Sequence, residues 1–434
     1  MSALKEHIVF VGIGGIGMSA IARHFLHSGL PVFGYDKTPT PLTKELEEEG
    51  AIITYAEDLS IYPGWPATQT TVIYTPAIPA TNAWMTFFQP YSPIKRAAAL
   101  GLLAQGKRTL AVAGTHGKTS TSAMLVHLLT EAGLDPTAFI GGIMKGEGTN
   151  YRLGESPWLI VEADEFDRSF LHLHPEAAAI TTTDADHLDI YGNADTLLNT
   201  FIEFQNQVDG PVFSPSGLKG TMSTGTPGDA IWASAVEAKE GAFHFILNTP
   251  SQQLPTALYM PGHHNVSNAL LAAALAIHAG VPLKVIATAL QTFRGIKRRF
   301  EFHATAPVVI IEDYAHHPTE IKALLDGVEE LYPNTDICIC FQPHLYSRTR
   351  DFMEGFKEQL ARTKATVLLP IYPARELPIE GISSTALASD IPGAIVVEKE
   401  GLATAVAATR CPIILVVGAG DIGDFVPQIK AQFA

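Results

Sequence analysis

The segment Ala113-Gly114-Thr115-His116-Gly117-Lys118-Thr119-Ser120 holds the sharpest chemical signal in this 434-residue chain. It follows an apolar run at 108–113 and opens a helical one. In a phosphate loop the backbone N–H groups cradle phosphates, the lysine reaches the terminal ones, and the first hydroxyl ligates Mg²⁺. Lys118 and Thr119 fit those two roles. The general form has one more glycine, at the position of Val112, so this is a shortened variant. A purely structural glycine turn would not need Lys-Thr-Ser at this place.

Two acidic clusters follow. A predicted strand over 158–161 ends in Glu162-Ala163-Asp164-Glu165-Phe166-Asp167. Another over 177–182 ends in Thr183-Asp184-Ala185-Asp186-His187-Leu188-Asp189. Ligands of parallel sheets gather outside the carboxyl ends of the strands, where both clusters fall. The pattern predicts a hard divalent ion between Thr119, Glu162 and nucleotide phosphates, with His187 at the same edge for a second ion. The plain alternatives are a solvated acidic loop for the first cluster and a helix cap for the second. His172 and His174 alternate, but without nearby cysteines or a His-Glu-x-x-His spacing they point to a structural role rather than to zinc.

Gly12-Ile13-Gly14-Gly15-Ile16-Gly17 fits the dinucleotide fingerprint: it follows a strand at 7–11, opens a helix at 18–27, and Asp36 ends the next strand. It reads either as an anion-binding turn or as a tight structural one. Gly418-Ala419-Gly420-Asp421-Ile422-Gly423 matches the same pattern, but no later strand completes the unit, so a structural turn is expected there.

The elements that must hold these residues are short β-branched runs alternating with helical stretches, the signature of parallel α/β domains. Three blocks emerge. Residues 1–106 form a Rossmann-like domain, 107–298 a central parallel-sheet domain of the phosphate-loop ATPase kind, and 299–434 a second Rossmann-like domain. Strands are expected at 307–311, 336–341, 365–369 and 412–417 in the last block. In the central helix Leu125, Leu128, Leu129 and Ala132 recur at helical spacing, and 214–228 reads as a surface loop. With 47% hydrophobic and 17% charged residues, a formal charge of −15, no apolar run near ~20 residues and no signal-peptide layout, the chain is expected to be soluble and cytoplasmic. Its acidity excludes a broad basic field for nucleic acid or membrane surfaces. Cys338, Cys340 and Cys411 imply no disulfide framework.

Taken together the residues resemble a family. The loop 114–120, Glu162-Ala163-Asp164-Glu165, Asp186-His187-Leu188-Asp189, Gly262-His263-His264-Asn265-Val266-Ser267-Asn268-Ala269 and Arg298-Arg299-Phe300-Glu301 are similar, in order, to the motifs of the Mur ligases. These are ATP-dependent amide-forming enzymes of peptidoglycan precursor synthesis, which serves cell-wall biogenesis, cell shape and division. The opening glycine loop, Asp313-Tyr314-Ala315-His316-His317-Pro318 and the run 341–351 resemble the branch that adds L-alanine to UDP-N-acetylmuramate.

The resemblance implies that the first domain binds the UDP part of that sugar nucleotide, with Gly14, Gly15, Ile16 and Gly17 at the pyrophosphate and Asp36, Thr75 and Ala77 nearby. The loop Gly114, Thr115, His116, Gly117, Lys118, Thr119 and Ser120 would take ATP with Mg²⁺ or Mn²⁺, the metal resting on Thr119, Glu162 and His187. His264, Asn265, Asn268, Arg299 and Asp313 would hold adenine and ribose, and Tyr314, His316, His344 and Arg348 would present L-alanine. Lys118, His187, His344 and Arg348 would carry catalysis, in a monomer or homodimer. Leu345 departs from the arginine that relatives often place after the histidine, which leaves Arg348 or Arg350 to hold the carboxylate of the amino acid. No lysine lies between His187 and Lys219, which removes the carbamylated lysine of several sister ligases.

The chemistry requires a carboxylate to attack the γ-phosphorus of ATP and an amine then to attack the acyl phosphate. His187, His344 or a metal-bound carboxylate are the candidate bases. Three rivals stand beside this reading: a recycling ligase that attaches a tripeptide, against which the run 341–351 argues; an NAD(P)-dependent oxidoreductase, which leaves the Lys118 loop unexplained; and a non-catalytic nucleotide-binding regulator.

Overall fold

The computed structural model describes residues 4–184, 191–215, 218, 220–374 and 376–433. They divide into two compact units. One comprises Met1–Ser234, Ile246–Thr256 and Ser267–Arg294; the other comprises Ala235–Phe245, Ala257–Val266 and Gly295–Ala434. The first block and most of the second thus share the first unit, while residues 235–245, 257–266 and 295–298 of the second block fall in the other.

That unit holds two large sheets. The first is all parallel, in the order Ile52–Thr54, Val32–Tyr35, His7–Val11, Thr70–Tyr74, Ile94–Lys95. The chain reverses its direction of progress around His7–Val11, so the crevice of this sheet opens where residues 12–17 leave that strand. Ile8 and Phe10 point into one buried cluster with Ile21 and Phe25, while Val9 and Val11 face another with Phe33, Trp84 and Phe88. This two-sided burial explains why the strand reads as one continuous apolar run.

The second sheet runs Met222–Thr224, Val212–Pro215, Ala177–Ile180, Arg108–Ala113, Trp158–Glu162, Thr137–Met144, Thr149–Arg152, and only its last pair is antiparallel. Arg108–Ala113 is its switch strand. Val112 lies opposite Glu162 and Ala113 opposite Ile180, so the loop after Ala113 emerges between the ends of both neighbours. Helix Lys118–Glu131 is buried on nearly every side, not along the one stripe its leucines suggest, and Ala132 is its half-buried C-cap. Its small residues Ser120, Thr121, Ser122 and Ala123 are what admit close neighbours.

The stretch 214–228 is not the surface loop its composition predicts. It contains the edge strand Met222–Thr224, and Ser214 and Thr224 are buried. Short polar edge strands of this kind carry little apolar signal and resist pairing with other chains. His172 ends a 3-10 helix, Phe166–His172, rather than an extended run; it and His174 are exposed. A three-stranded sheet, Trp232–Lys239, Ala242–Asn248 and Gln253–Leu258, was not anticipated.

The second unit is built on the sheet Glu301–Ala304, Val309–Asp313, Ile413–Val417, Ile337–Phe341, Ala365–Leu368, Ile395–Val396, antiparallel only at its first pair. Asp313, Val417, Phe341 and Leu368 are in register, which brings the loops after four strands to one edge. The three cysteines are free and buried in one of its core clusters. Gly418–Gly423 is a turn braced by its own unit: the Arg298 guanidinium donates to the carbonyls of Gly418 and Gly420. Among the described residues no helix is long and apolar enough to cross a membrane.

Candidate active site

In the first unit the phosphate loop is pinned to the strand beside it. The N–H groups of Thr115 and His116 donate to the carbonyl and hydroxyl of Thr182, and the Thr181 hydroxyl donates to the His116 carbonyl. Gly114 (φ +126) has no room for a Cβ beside Thr181, and Gly117 (φ +83) has none beside the Asn268 amide. The loop can therefore lie only where glycine permits it. Helix Lys118–Glu131 has no side-chain cap, so its first N–H groups are presented as an anion site.

Lys118 Nζ donates to the Gly114 carbonyl at 2.6 Å and to both oxygens of Glu165 at 2.8 and 3.0 Å. Burial by itself disfavours the ammonium, but the carboxylates of Glu165, Asp164 and Glu162 outweigh that cost and hold its pKa above the ordinary lysine value. At the next residue, the Thr119 hydroxyl donates to Glu162 Oε1 at 3.0 Å, and Gly141 N–H donates to Oε2 at 2.8 Å. Burial pushes the Glu162 carboxyl up, against the pull of Lys118 and the Gly141 N–H. Thr119 and Glu162 are thus together, as expected; His187 lies outside the described residues.

The first glycine loop sits at the other sheet of this unit. Gly14 N–H donates to Asp36 Oδ2 at 2.7 Å, so Asp36 braces the turn itself. Gly12 (φ +91) abuts Thr75, whose hydroxyl accepts from the Ala77 N–H at 3.4 Å. Gly15 and Ile16 are exposed, and Gly15 precedes helix Ile16–His27 without a side-chain cap. Arg96, which no motif singles out, lies against Gly17.

The second unit gathers the remaining candidates at its sheet edge. Asp313 accepts from the N–H groups of Phe300 and Ala315 at 2.7 and 2.8 Å, and burial pushes its carboxyl up to about 6 against the pull of Arg299. The guanidinium of Arg299 stands 5.1 Å from the Tyr314 ring. Tyr314 meets His316 edge-on at 5.4 Å, His316 meets His344 at 6.2 Å, and His344 stacks on Tyr372 at 5.6 Å. Burial depresses the His316 pKa to about 4; Glu320 opposes this and Arg348 reinforces it. His264 and Asn265 also fall in this unit, at the start of helix His263–His278, where the Asn265 amide donates to the Pro261 carbonyl at 2.8 Å. Asn268 falls in the first unit with the phosphate loop.

Sequence reasoning gave no role to Glu165, Arg96 or Tyr372. Glu165 lies three residues past Glu162 in an acidic run, and that position is its only signal. Tyr372 is brought in by tertiary pairing: its N–H donates to the Pro343 carbonyl and its carbonyl accepts from Leu345.

Three sequence profiles match the chain in order: the Mur ligase family catalytic domain at residues 7–108, the Mur ligase middle domain at 112–276, and the Mur ligase glutamate ligase domain at 298–420. A UDP-N-acetylmuramate–L-alanine ligase of Flavobacterium johnsoniae is 45% identical over 436 residues, covering 98% of this chain and 97% of that protein. Its counterpart in Porphyromonas gingivalis is 40% identical over 448 residues, covering 98% of each. The crystal structure of UDP-N-acetylmuramate–alanine ligase from Thermotoga maritima superposes with a TM-score of 0.84 at 30% identity, covering 98% of this chain and 99% of that one. A murein peptide ligase of Psychrobacter arcticus shares the fold, with a TM-score of 0.73 at 21% identity over 99% and 98% of the two chains. With a lysine-bearing glycine loop tied to the carboxylates of Glu162 and Glu165, and with similarity running from end to end, the chain belongs to the Mur ligase family.

Proposed function

We propose that this chain is an ATP-dependent ligase that joins the lactyl carboxylate of UDP-N-acetylmuramate to L-alanine, releasing ADP and phosphate, in cytoplasmic peptidoglycan precursor synthesis. The observation that carries the reading is the paired arrangement of Lys118 with Glu165 and Thr119 with Glu162, in a chain 45% identical to a ligase of that name. The turn Gly14, Gly15, Ile16 and Gly17 receives the pyrophosphate, shaped by Asp36, Thr75 and Ala77. Gly114 to Ser120 receive the ATP phosphates. His264, Asn265, Asn268, Arg299 and Asp313 hold adenine and ribose, and Tyr314, His316, His344 and Arg348 receive L-alanine.

Thr119 and Glu162 offer hard oxygen donors 3.0 Å apart, a donor set that suits Mg²⁺ or Mn²⁺, with His187 as a further ligand. Such an ion, when bound, neutralises phosphate charge. Lys118 does the same work from the protein side, exchanging Glu165 for phosphoryl oxygens. A carboxylate oxygen of the sugar attacks the γ-phosphorus, and the bond to the ADP oxygen breaks. The amine nitrogen then attacks the acyl carbon, the bond to phosphate breaks, and a proton leaves the nitrogen for a base, the role His344 offers in the second unit.

The test is incubation with ATP, Mg²⁺, UDP-N-acetylmuramate and, in separate arms, L-alanine, glycine, L-serine or the L-alanyl-D-glutamyl-diaminopimelate tripeptide, followed by ADP release and product mass. Preference for L-alanine with the mass of its amide is expected. Preference for the tripeptide transfers the chain to the recycling ligases, and no ADP release in any arm refutes the reading.

A further inference from the structure

A cavity of ≈ 140 Å³ in the first unit lies between its two sheets, lined by Ile16 and Gly17 of the first glycine loop, by Arg96, by Gly141 and Glu162 of the second sheet and by Asp164 just past that sheet. It is about ten times what one water needs. Arg96 is the only cation among its described lining residues, against two carboxylates. A Cβ on Gly17 would stand 2.5 Å from Arg96 Nη1, so the guanidinium lies directly against the loop, while Nη2 donates to Asp164 Oδ2 at 3.0 Å.

We propose that Arg96 binds an oxyanion of the sugar nucleotide held by Gly14–Gly17, exchanging Asp164 for it, so that the Arg96–Asp164 pair is a latch between the glycine loop and the acidic loop that carries Glu162 and Glu165. The proposal rests on the sugar-nucleotide reading above. Three features support it. A guanidinium has five donors in a planar fork, and a phosphate or carboxylate accepts two of them side by side, which a single 3.0 Å contact to Asp164 does not. The loop beside it starts a helix with no side-chain cap, and Ile16 and Gly17 at that helix start line the same volume as Arg96. A second ion pair, Lys95 to Asp167 at 2.7 Å, joins the residue before Arg96 to the acidic run that carries Asp164 and keeps those two segments together when Arg96 changes partner.

The latch makes a prediction that a structural ion pair does not: its two members act on ligand affinity with opposite signs. Arg96→Ala removes the donor and weakens binding of the sugar nucleotide by at least about tenfold. Asp164→Asn removes the competing carboxylate and tightens it by about threefold. Calorimetric titration of the full chain with UDP-N-acetylmuramate, UDP-N-acetylglucosamine and a non-hydrolysable ATP analogue measures this, with melting temperature as the control for folding. Equal loss with both sugar nucleotides in Arg96→Ala identifies the pyrophosphate as the oxyanion; loss confined to UDP-N-acetylmuramate identifies the lactyl carboxylate. The affinity for the ATP analogue stays within about twofold in either case. Arg96→Lys keeps the charge but not the fork and falls between wild type and alanine. Unchanged binding in Arg96→Ala, or weakening in both Arg96→Ala and Asp164→Asn, overturns the latch. Wild-type protein that fails to bind UDP-N-acetylmuramate overturns the functional reading itself, which keeps the two failures distinct.

Discussion

Lys118 Nζ stands 2.8 Å from Glu165 Oε2, and the Glu165 side chain has no exposure to solvent. The pair keeps a buried carboxylate neutralised at the place where phosphates are expected to arrive. Removing the lysine alone takes away the ammonium that pairs with this buried carboxylate, at a cost of about 3–5 kcal/mol. Lys118→Ala should therefore lower the melting temperature and also abolish ADP release. Lys118→Ala combined with Glu165→Gln should recover stability without recovering ADP release, because the second change removes the buried carboxylate charge but restores no phosphate donor. Affinity for UDP-N-acetylmuramate, assigned to the first glycine loop, should hold in the double variant. Normal turnover by either variant would sink the phosphate-loop assignment.

Thr119 and Glu162 make the second prediction. Their contact offers one hydroxyl and one carboxylate to a divalent ion, and Gly141 N–H fixes the carboxylate from behind. Thr119→Ala and Glu162→Gln should each raise the Mg²⁺ concentration needed for half-maximal ADP release by about 10–100-fold, while Thr119→Ser stays near wild type. A Mg²⁺ titration in which all three variants follow the wild-type curve removes these residues from the metal site.

Asp313 gives a pH dependence whose sign can be fixed. Burial raises its folded pKa from 3.8 to about 6, so between those values the folded chain binds more protons than the unfolded one. Stability contributed by this carboxyl is fully present below pH ~4 and is lost as pH rises through ~6; the full loss is on the order of 2–3 kcal/mol. Compared with Asp313→Asn, which does not titrate, wild type should lose stability between pH 4.5 and 6.5 and run parallel above that. Thermal melts of both proteins across this range test it. A difference that does not change with pH contradicts the raised pKa.

What the sequence disclosed and what it hid follow the distance over which the information acts. The strand His7–Val11 and the strand Arg108–Ala113 are legible residue by residue because burial on two faces leaves a continuous apolar run between glycine turns. The placement of Thr119 beside Glu162 is legible too, since a parallel sheet puts the ends of neighbouring strands at one edge. By contrast, the edge strand Met222–Thr224 is made of residues that a loop would use equally well, and only its pairing with Val212–Pro215 distinguishes it. Arg96 and Tyr372 carry no local signal at all. Arg96 reaches the glycine loop because strand Ile94–Lys95 pairs with Thr70–Tyr74, and Tyr372 reaches His344 through backbone hydrogen bonds to Pro343 and Leu345. Neither relation has a spacing along the chain.

Arg348 carries the last prediction. It begins no new element of its own but lies in helix Tyr346–Asp351, directly after Leu345, whose backbone takes φ +70. That conformation disfavours any side chain and costs of order 1–3 kcal/mol, and here it is enforced by the bond from Leu345 N–H to the Tyr372 carbonyl and by Thr349, whose hydroxyl donates to the Leu345 carbonyl at 2.8 Å. The turn sets the helix so that the positive charge of Arg348 acts on His316. With leucine rather than a cationic residue at 345, Arg348 is assigned the carboxylate of the amino acid. Arg348→Ala should raise KM for L-alanine by about 10–100-fold, the range expected for one lost charged hydrogen bond of ~1.5–3 kcal/mol, and should leave KM for ATP and for UDP-N-acetylmuramate unchanged. Steady-state kinetics with each substrate varied in turn separates the three constants. An effect confined to ATP places Arg348 at the nucleotide instead and leaves the carboxylate to another donor.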